Sequence, residues 1–269
     1  MNKTILFLLL FFVTHSAYSQ RVVHDWENYI SSIGGKPVSI NVDLGLGQVA
    51  PIKENPFVVI LRVKLRNPDQ RGMPGIDEMN ELDRMEGRLV ELLARQVGAL
   101  FAGRFTQRGI REFYFYAPDT LGYQKAINQS LFSLNEGEWL CQAKRDEKWE
   151  NYFTVLYPTV LDRIKITSRK KLELMGVAEG KVLKNVDVEH YFEFDQIDGR
   201  TKFLITPEIT GFKIVEMPGL PDKSTGKYVL ILRKKEDPDF SWIERRIVPL
   251  FNLTQKNGGS YKGWSEIVK

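Results

Sequence analysis

The most regular alternation of apolar and polar side chains runs from Val186 to Asp195. One side of an extended chain here is apolar apart from a histidine, and the other side is acidic apart from a tyrosine. A period of two is typical of a β-strand with one buried face. Such a strand belongs to a sheet with helices packed on one side, so the pattern indicates an α+β fold. The residues on the apolar side are Val186, Val188, His190, Phe192 and Phe194.

The segments around this strand predict a C-terminal ferredoxin-like domain over residues 161–269. Ser168 is a suitable N-cap for a helix that ends near Met175, before Gly176. After the strand we expect a helical or irregular segment, two further strands, a helix and a terminal tail that contains Tyr261 and Trp264. Strand, helix, two strands and helix is close to the ferredoxin-like order. The four ranges after the strand are 199–210, 211–216, 227–235 and about 240–254.

The preceding residues, 20–160, predict a second α+β domain with the order ββαββαβ and its helices on one face of a sheet. Its first two strands are expected to form a hairpin, and a helix with apolar residues at helical spacing begins near Asp77. The predicted strands are 38–45, 57–65, 99–106, 111–117 and 138–145, and the two helices begin near 77 and 121, the second reaching 134.

The first residues, 1–19, have the pattern of a signal peptide. Lys3 precedes an unbroken apolar run, and Ala17-Tyr18-Ser19 places small residues where a signal peptidase cleaves. The apolar run is shorter than the roughly 20 residues that span a bilayer. We therefore expect cleavage before Gln20, no membrane attachment afterwards, and an exported protein in the periplasm or outside the cell.

Composition excludes more functions than it suggests. The net charge of +4 is small and supports no nucleic-acid partner. The chain has one cysteine and three histidines, too few for an intrachain disulfide or for a histidine-rich zinc site. No cofactor motif is present, so we expect no cofactor, and no constellation of residues indicates an enzyme. The oligomeric state is left open.

Two groups of residues are candidate binding sites. Carboxylates spaced along one face of the strand are suited to calcium or to a basic partner, or else they form cross-strand pairs with Arg233 and Lys235. Tyr261 and Trp264 are suited to an exposed anchor for a partner, or to docking the tail on its own domain. His190 points with the apolar residues and is expected to be a buried, neutral imidazole. The carboxylates are Asp187, Glu189, Glu193 and Asp195.

Several short motifs in the C-terminal half resemble the RraB family, the regulators of ribonuclease E activity B. The resemblance implies a small ferredoxin-like fold that binds the ribonuclease and inhibits it without catalysis. In the first half, Asp25-Trp26-Glu27, Trp149–Tyr152 and Tyr157-Pro158 resemble the domain of unknown function 695. The motifs that resemble RraB are Val188–Phe192, Gly211–Ile214, Tyr228–Ile231 and Tyr261–Trp264.

The sequence therefore leads to three hypotheses about function. The preferred one is an exported, non-catalytic binding or regulatory protein with a protein or peptide partner, because namesake RraB members are acidic and cytoplasmic whereas this domain is slightly basic and follows an export signal. The second is regulation of ribonuclease E, which requires the chain to stay in the cytoplasm. The third is a hydrolase that uses carboxylates such as Glu189 and Glu193 as acid and base.

Overall fold

A computed structural model of the chain describes residues 22–131 and 137–267. The expected signal peptide, 1–19, and the end of the helix predicted to reach 134 lie outside these residues. In the described residues, strands and helices form two separate antiparallel sheets with helices packed on them. The α+β fold in two parts that the sequence predicts is confirmed.

Among the described residues, the first unit has six strands and two α-helices. Its strands are β1 (Trp26–Ile33), β2 (Lys36–Asp43), β3 (Phe57–Lys64), β4 (Leu100–Gln107), β5 (Ile110–Ala117) and β6 (Trp139–Arg145). Its helices are α1 (Ile76–Val97) and α2 (Tyr123–Leu131).

The strand order of this sheet is β1-β2-β4-β5-β3-β6, and every neighbouring pair is antiparallel. From β3 onward the elements follow the split βαβ order of a ferredoxin-like unit. The hairpin β1–β2 is an addition, joined by Gly34 and Gly35, both at positive φ, and it pairs with the edge strand β4. The hairpin predicted between 38–45 and 57–65 is wrong, because β2 pairs with β1 and β4 while β3 pairs with β5 and β6.

Both faces of this sheet are buried. Helices α1 and α2 cover one face, as predicted, through a cluster that includes Leu89, Leu93 and Phe115. The opposite face packs against the segment 149–157, which forms a π-helical turn at Tyr152–Leu156. Trp149 stacks on Tyr116 there, with ring centroids 3.8 Å apart.

The second unit contains a four-stranded antiparallel sheet in the order β10-β7-β9-β8. With its helices it follows the order βαββαβ, and this strand order is that of the ferredoxin-like fold. The predicted terminal tail is wrong: residues 259–266 form the fourth strand, which pairs with β7. Its strands are β7 (Val186–Phe194), β8 (Lys213–Glu216), β9 (Tyr228–Glu236) and β10 (Gly259–Glu266).

Helices cover only one face of this second sheet. The apolar side of β7, with Val188, Phe192 and Phe194 almost fully buried, packs against them as its alternation predicts. The helices are α3 (Val160–Leu174), α4 (Ile197–Leu204), and a continuous helical segment made of α5 (Phe240–Trp242), a π-helical turn (Ile243–Ile247) and α6 (Val248–Lys256).

Helix α3 begins earlier than the sequence predicts and contacts both units. Its N-cap is Thr159, which forms a capping box with Asp162, so the predicted cap at Ser168 is wrong. Ser168 is instead buried inside the helix, where it accepts a hydrogen bond of 2.9 Å from Trp264 on β10. The next residue, Arg169, donates to Glu27 on β1 at 3.0 Å.

Candidate functional site

The predicted acidic face of β7 lies on the side of the second sheet that the helices leave uncovered. Strand register places Glu189 opposite Arg233 and Asp187 opposite Lys235. The Arg233 Nε atom donates to Glu189 at 3.0 Å, and the Lys235 ammonium lies 3.4 Å from Asp187. These carboxylates are therefore paired with cations of the neighbouring strand rather than directed toward one point.

The other two predicted carboxylates are paired in the same way. Glu193 lies 3.2 Å from the ammonium of Lys262 on β10, and Asp195 accepts from Lys227, the residue before β9. Together the four pairs form an ion-pair ladder across the open face. The described residues contain no group of three or more His, Cys, Asp or Glu placed to hold a metal ion. The ladder favours the cross-strand alternative over calcium binding.

Tyr261 and Trp264 are buried, so neither is an exposed anchor. Their side chains are 3% and 5% exposed because β10 is a strand of the sheet and directs both into the core. Tyr261 bonds to His190 Nδ1 at 2.8 Å, and burial raises the pKa of its phenol well above the ordinary value. The expectation of an exposed anchor is wrong, and the alternative, docking of this segment onto its own domain, describes them.

His190 is fully buried, as its place in the alternation predicts. Burial lowers the pKa of its imidazole to about 3, and the nearby charges of Arg246 and Lys234 act in the same direction. Its Nε2 atom has no hydrogen-bond partner among the described residues. The side chain is surrounded by aromatic rings, which include those of Phe212 and Trp242. This environment holds the imidazole neutral in the core and away from any substrate.

The edge strand β8 is the most exposed regular element of the second unit. All four of its residues are exposed, including Ile214 at 52% and Val215 at 44%, and β9 is its one strand partner in the described chain. The exposed apolar residues Met217 and Leu220 follow it directly. We call these four apolar residues, Ile214, Val215, Met217 and Leu220, the edge patch. A row of unpaired backbone groups beside apolar side chains is suited to pairing with another extended chain.

In the first unit, the corresponding edge of the sheet is paired with an additional strand. Strand β4 occupies the same place in the βαββαβ order as β8, and its outer side pairs with β2 from Ser39 to Val42. In the first unit the edge is therefore closed by the chain itself. In the second unit no described segment closes it.

Sequence reasoning placed the β8 strand but did not identify its edge as a site. The strand is four residues long with one charged residue at each end, and it has no alternation that separates a buried from an exposed face. Only the strand order shows that it lies at an edge, and strand order depends on contacts distant in sequence. The sequence signal that could have indicated this edge is the presence of two apolar residues, Met217 and Leu220, in a turn-rich segment, where apolar side chains are often exposed.

The described residues define the class of the protein: two consecutive ferredoxin-like α+β units, the first of them extended by a hairpin. Residues 24–157 belong to a family of unknown function, DUF695, and residues 165–265 belong to the family Regulator of ribonuclease activity B. The resemblance drawn from the sequence is confirmed for both halves. One family has no known function and the other regulates an enzyme, so the matches support a regulatory or binding role.

Other comparisons add little. No curated protein matches the chain. A protein of unknown function from Galdieria sulphuraria is 14% identical, with 80% of this chain and 99% of that one covered and a TM-score of 0.21. A structure described as a candidate glycine cleavage system transcriptional repressor is 12% identical, covers 78% and 98% of the two chains, and has a TM-score of 0.20. Likenesses at these scores carry no argument. Of the described helices, none is long and apolar enough to cross a membrane.

Proposed function

We propose that the protein is an exported, non-catalytic regulator that binds a partner protein at the edge patch of its second unit. The observation that carries this proposal is the free outer edge of β8, with Ile214 and Val215 exposed on it. The occupant is an extended segment of the partner, added as an antiparallel strand. The pairing of β2 with β4 in the first unit supports this geometry.

The features of the β8 edge restrict which extended segments can pair with it. It is short, begins with Lys213 and carries a bulge between Ile214 and Glu216. Short length, lysine and bulges protect edge strands from indiscriminate aggregation. A partner segment must therefore follow the bulge and place apolar side chains against the edge patch.

Binding is tested with one charged substitution and a matched control. The partner is cross-linked in the exported fraction of the host, purified, and titrated against wild-type, Val215→Lys and Val182→Lys chains. Val182 is an exposed valine of the same unit outside the edge patch. We expect Val215→Lys to weaken binding at least about tenfold, since a lysine on the edge opposes strand addition, and Val182→Lys to leave it unchanged.

Equal binding by all three chains would refute the edge patch as the site. Self-association of the wild-type chain that Val215→Lys abolishes, measured by sedimentation, would replace the partner with a second copy. Export is tested separately by the mass of the mature N-terminus in host fractions. A chain beginning at Gln20 in the exported fraction supports it, in line with the pattern of residues 1–19.

Regulation of a ribonuclease is the second candidate, because residues 165–265 match the ribonuclease regulator family. It applies if the full-length chain, starting at Met1, is found in the cytoplasm. The direct test is then inhibition of ribonuclease E by the purified chain. The carboxylate hydrolase has no comparable support, because Glu189 and Glu193 are each paired with a cation in the ladder.

A further inference from the structure

A cleft of about 380 Å³ lies between α3 and β10, on the far side of the second sheet from the edge patch. Its lining contains three cations, three aliphatic hydroxyl groups and the phenol of Tyr261, but no carboxylate. The cations are Arg163, Lys171 and Lys262, and the aliphatic hydroxyl groups belong to Thr167, Ser168 and Ser260. A concave surface with converging donors of one charge sign is suited to an anion.

Two of the three cations have no carboxylate partner among the residues that the structure describes. Lys262 is paired with Glu193 at 3.2 Å. Arg163 makes no ion pair with any residue in 22–131 or 137–267, whereas most arginines of the described chain do. Lys171 also has no carboxylate partner within those ranges. The cleft therefore carries two positive charges that no described carboxylate compensates.

The environment of Lys171 makes its missing counterion costly. Its ammonium donates to the backbone oxygen of Trp264 and lies 4.6 Å from the centroid of the Trp264 ring. The side chain is half-buried, and burial lowers the pKa of its ammonium. A partly desolvated charge that has a hydrogen bond but no counterion is less stable than a paired one, and an anion in the cleft would supply the counterion.

Ser168 supplies a second, independent indication of a ligand. The side chain is 2% exposed, and its oxygen accepts the indole N–H of Trp264 at 2.9 Å. That contact leaves the hydroxyl hydrogen without an acceptor among the described residues. Buried hydroxyl hydrogens normally find an acceptor, and Ser168 lines the cleft, where a ligand oxygen could serve as one.

We propose that this cleft binds a phosphate group, with Arg163, Lys171 and the Ser168 hydroxyl as donors. A phosphate monoester carries about two negative charges and three acceptor oxygens, which match the two uncompensated cations and the free hydroxyl. Arginine recognises phosphate through its fork of donors, and lysine acts as a point charge. Val160 and Ile164 at the cleft wall give room for an apolar body on the phosphate.

Inorganic phosphate and phenyl phosphate are the two probes, titrated into the purified chain at constant ionic strength. Calorimetry gives the dissociation constant, and amide NMR shifts locate the site. We expect saturable binding with shifts confined to 160–171 and 260–264. Tighter binding of phenyl phosphate identifies a phosphorylated organic molecule as the ligand, whereas equal binding identifies free phosphate.

Three variants test the assignment. Lys171→Met keeps the packing on Trp264 but removes the charge, and Arg163→Gln alters an exposed position where misfolding is not a concern; each should weaken binding about tenfold. Lys170→Met is the control, because Lys170 is paired with Glu27 outside the cleft, and it should bind as the wild type does. Absent saturation, shifts that chloride reproduces, or equal weakening by all three variants would overturn the proposal.

Discussion

The two units share one order of strands and helices but differ in whether the sheet edge and the second face of the sheet are covered. The first closes its β4 edge with the β1–β2 hairpin and covers the second face of its sheet with segment 149–157. In the second, no described segment pairs with the outer edge of β8 or packs on the second face of the sheet, which carries charged residues. The same fold thus has a covered sheet edge and second face in the first unit and, in the described chain, an uncovered edge and face in the second. This difference is why we place partner binding in the second unit.

The difference is visible in the residue types on the two second faces. In the first unit Tyr116, Trp149 and Tyr152 are fully buried there and bonded to each other or to the backbone. In the second unit the same face carries the ion-pair ladder. The aromatic residues of the first unit bury large apolar areas, whereas a pair exposed on both sides, such as Lys227 with Asp195, contributes little stability. Four substitutions sharpen this contrast, beginning with the largest expected effect.

Trp149→Ala should destabilise the first unit by about 3–5 kcal/mol, because it leaves a cavity under a stacked ring and removes the indole bond to the Asn55 backbone oxygen. Chemical denaturation measures the change. The control is Trp139→Ala on the edge strand β6, where the ring is 41% exposed and the expected loss is about 1 kcal/mol or less. Equal losses would mean that the second face of the first unit is not a core.

Acid should destabilise the second unit through His190. Unfolding lets the imidazole bind a proton at its ordinary pKa of 6.5, whereas the folded chain binds it only near pH 3. Stability is therefore lost as the pH falls from 6.5 toward 3, by at most about 1.4 kcal/mol for each pH unit. His190→Gln should flatten this slope by comparison with wild type. An unchanged slope in denaturation curves between pH 7 and 4.5 would contradict the buried neutral state.

Gly103→Ala should loosen the added hairpin of the first unit. A methyl group at this position would lie 2.3 Å from the Asn41 backbone oxygen on β2, and the backbone is at positive φ. We expect a loss of about 1–3 kcal/mol and faster hydrogen exchange in β1 and β2. Gly75→Ala, where a methyl group meets nothing within 4 Å, is the control. Unaltered exchange in the hairpin would show that β2 does not depend on a close approach to β4.

Lys227→Met should have the smallest effect, under about 0.5 kcal/mol, because the ladder pair with Asp195 is exposed on both sides. Thermal denaturation at low and high salt measures it, and the small loss should vanish at high salt. A loss above 1 kcal/mol would mean that the open face contributes to stability as the covered face of the first unit does.

The pattern of apolar and polar residues predicted those strands and helices that bury one face and expose the other. Strand β7 alternates with a period of two, and α1 has apolar residues at helical spacing, so both were predicted from their own residues. Strand β1 was not, because its buried positions hold Glu27 and Tyr29 while Trp26 and Ile30 are exposed. That inverted pattern arises because Glu27 is paired with Arg169 and Lys170, which lie more than a hundred residues away.

The site could be predicted only in part for the same reason. The carboxylates of β7 and their pairing with Arg233 and Lys235 were foreseeable from two alternating strands. Strand β10 was not, because its glycines and the short motif Tyr261–Trp264 resemble a tail until β7 is placed beside them. The free edge of β8 and the cleft beside α3 depend on strand order and helix placement, which no local pattern contains.

Helix α3 limits where the chain can be cut into stable fragments. A fragment starting at residue 165, where the second family match begins, would lose the Thr159 cap and the first turn of the helix. A fragment ending at 157 would leave Glu27, 4% exposed, without Arg169 and Lys170. An unpaired carboxylate at that depth is destabilising. A stable fragment of either half must therefore include helix α3, which the two units share through Glu27 on one side and Trp264 on the other.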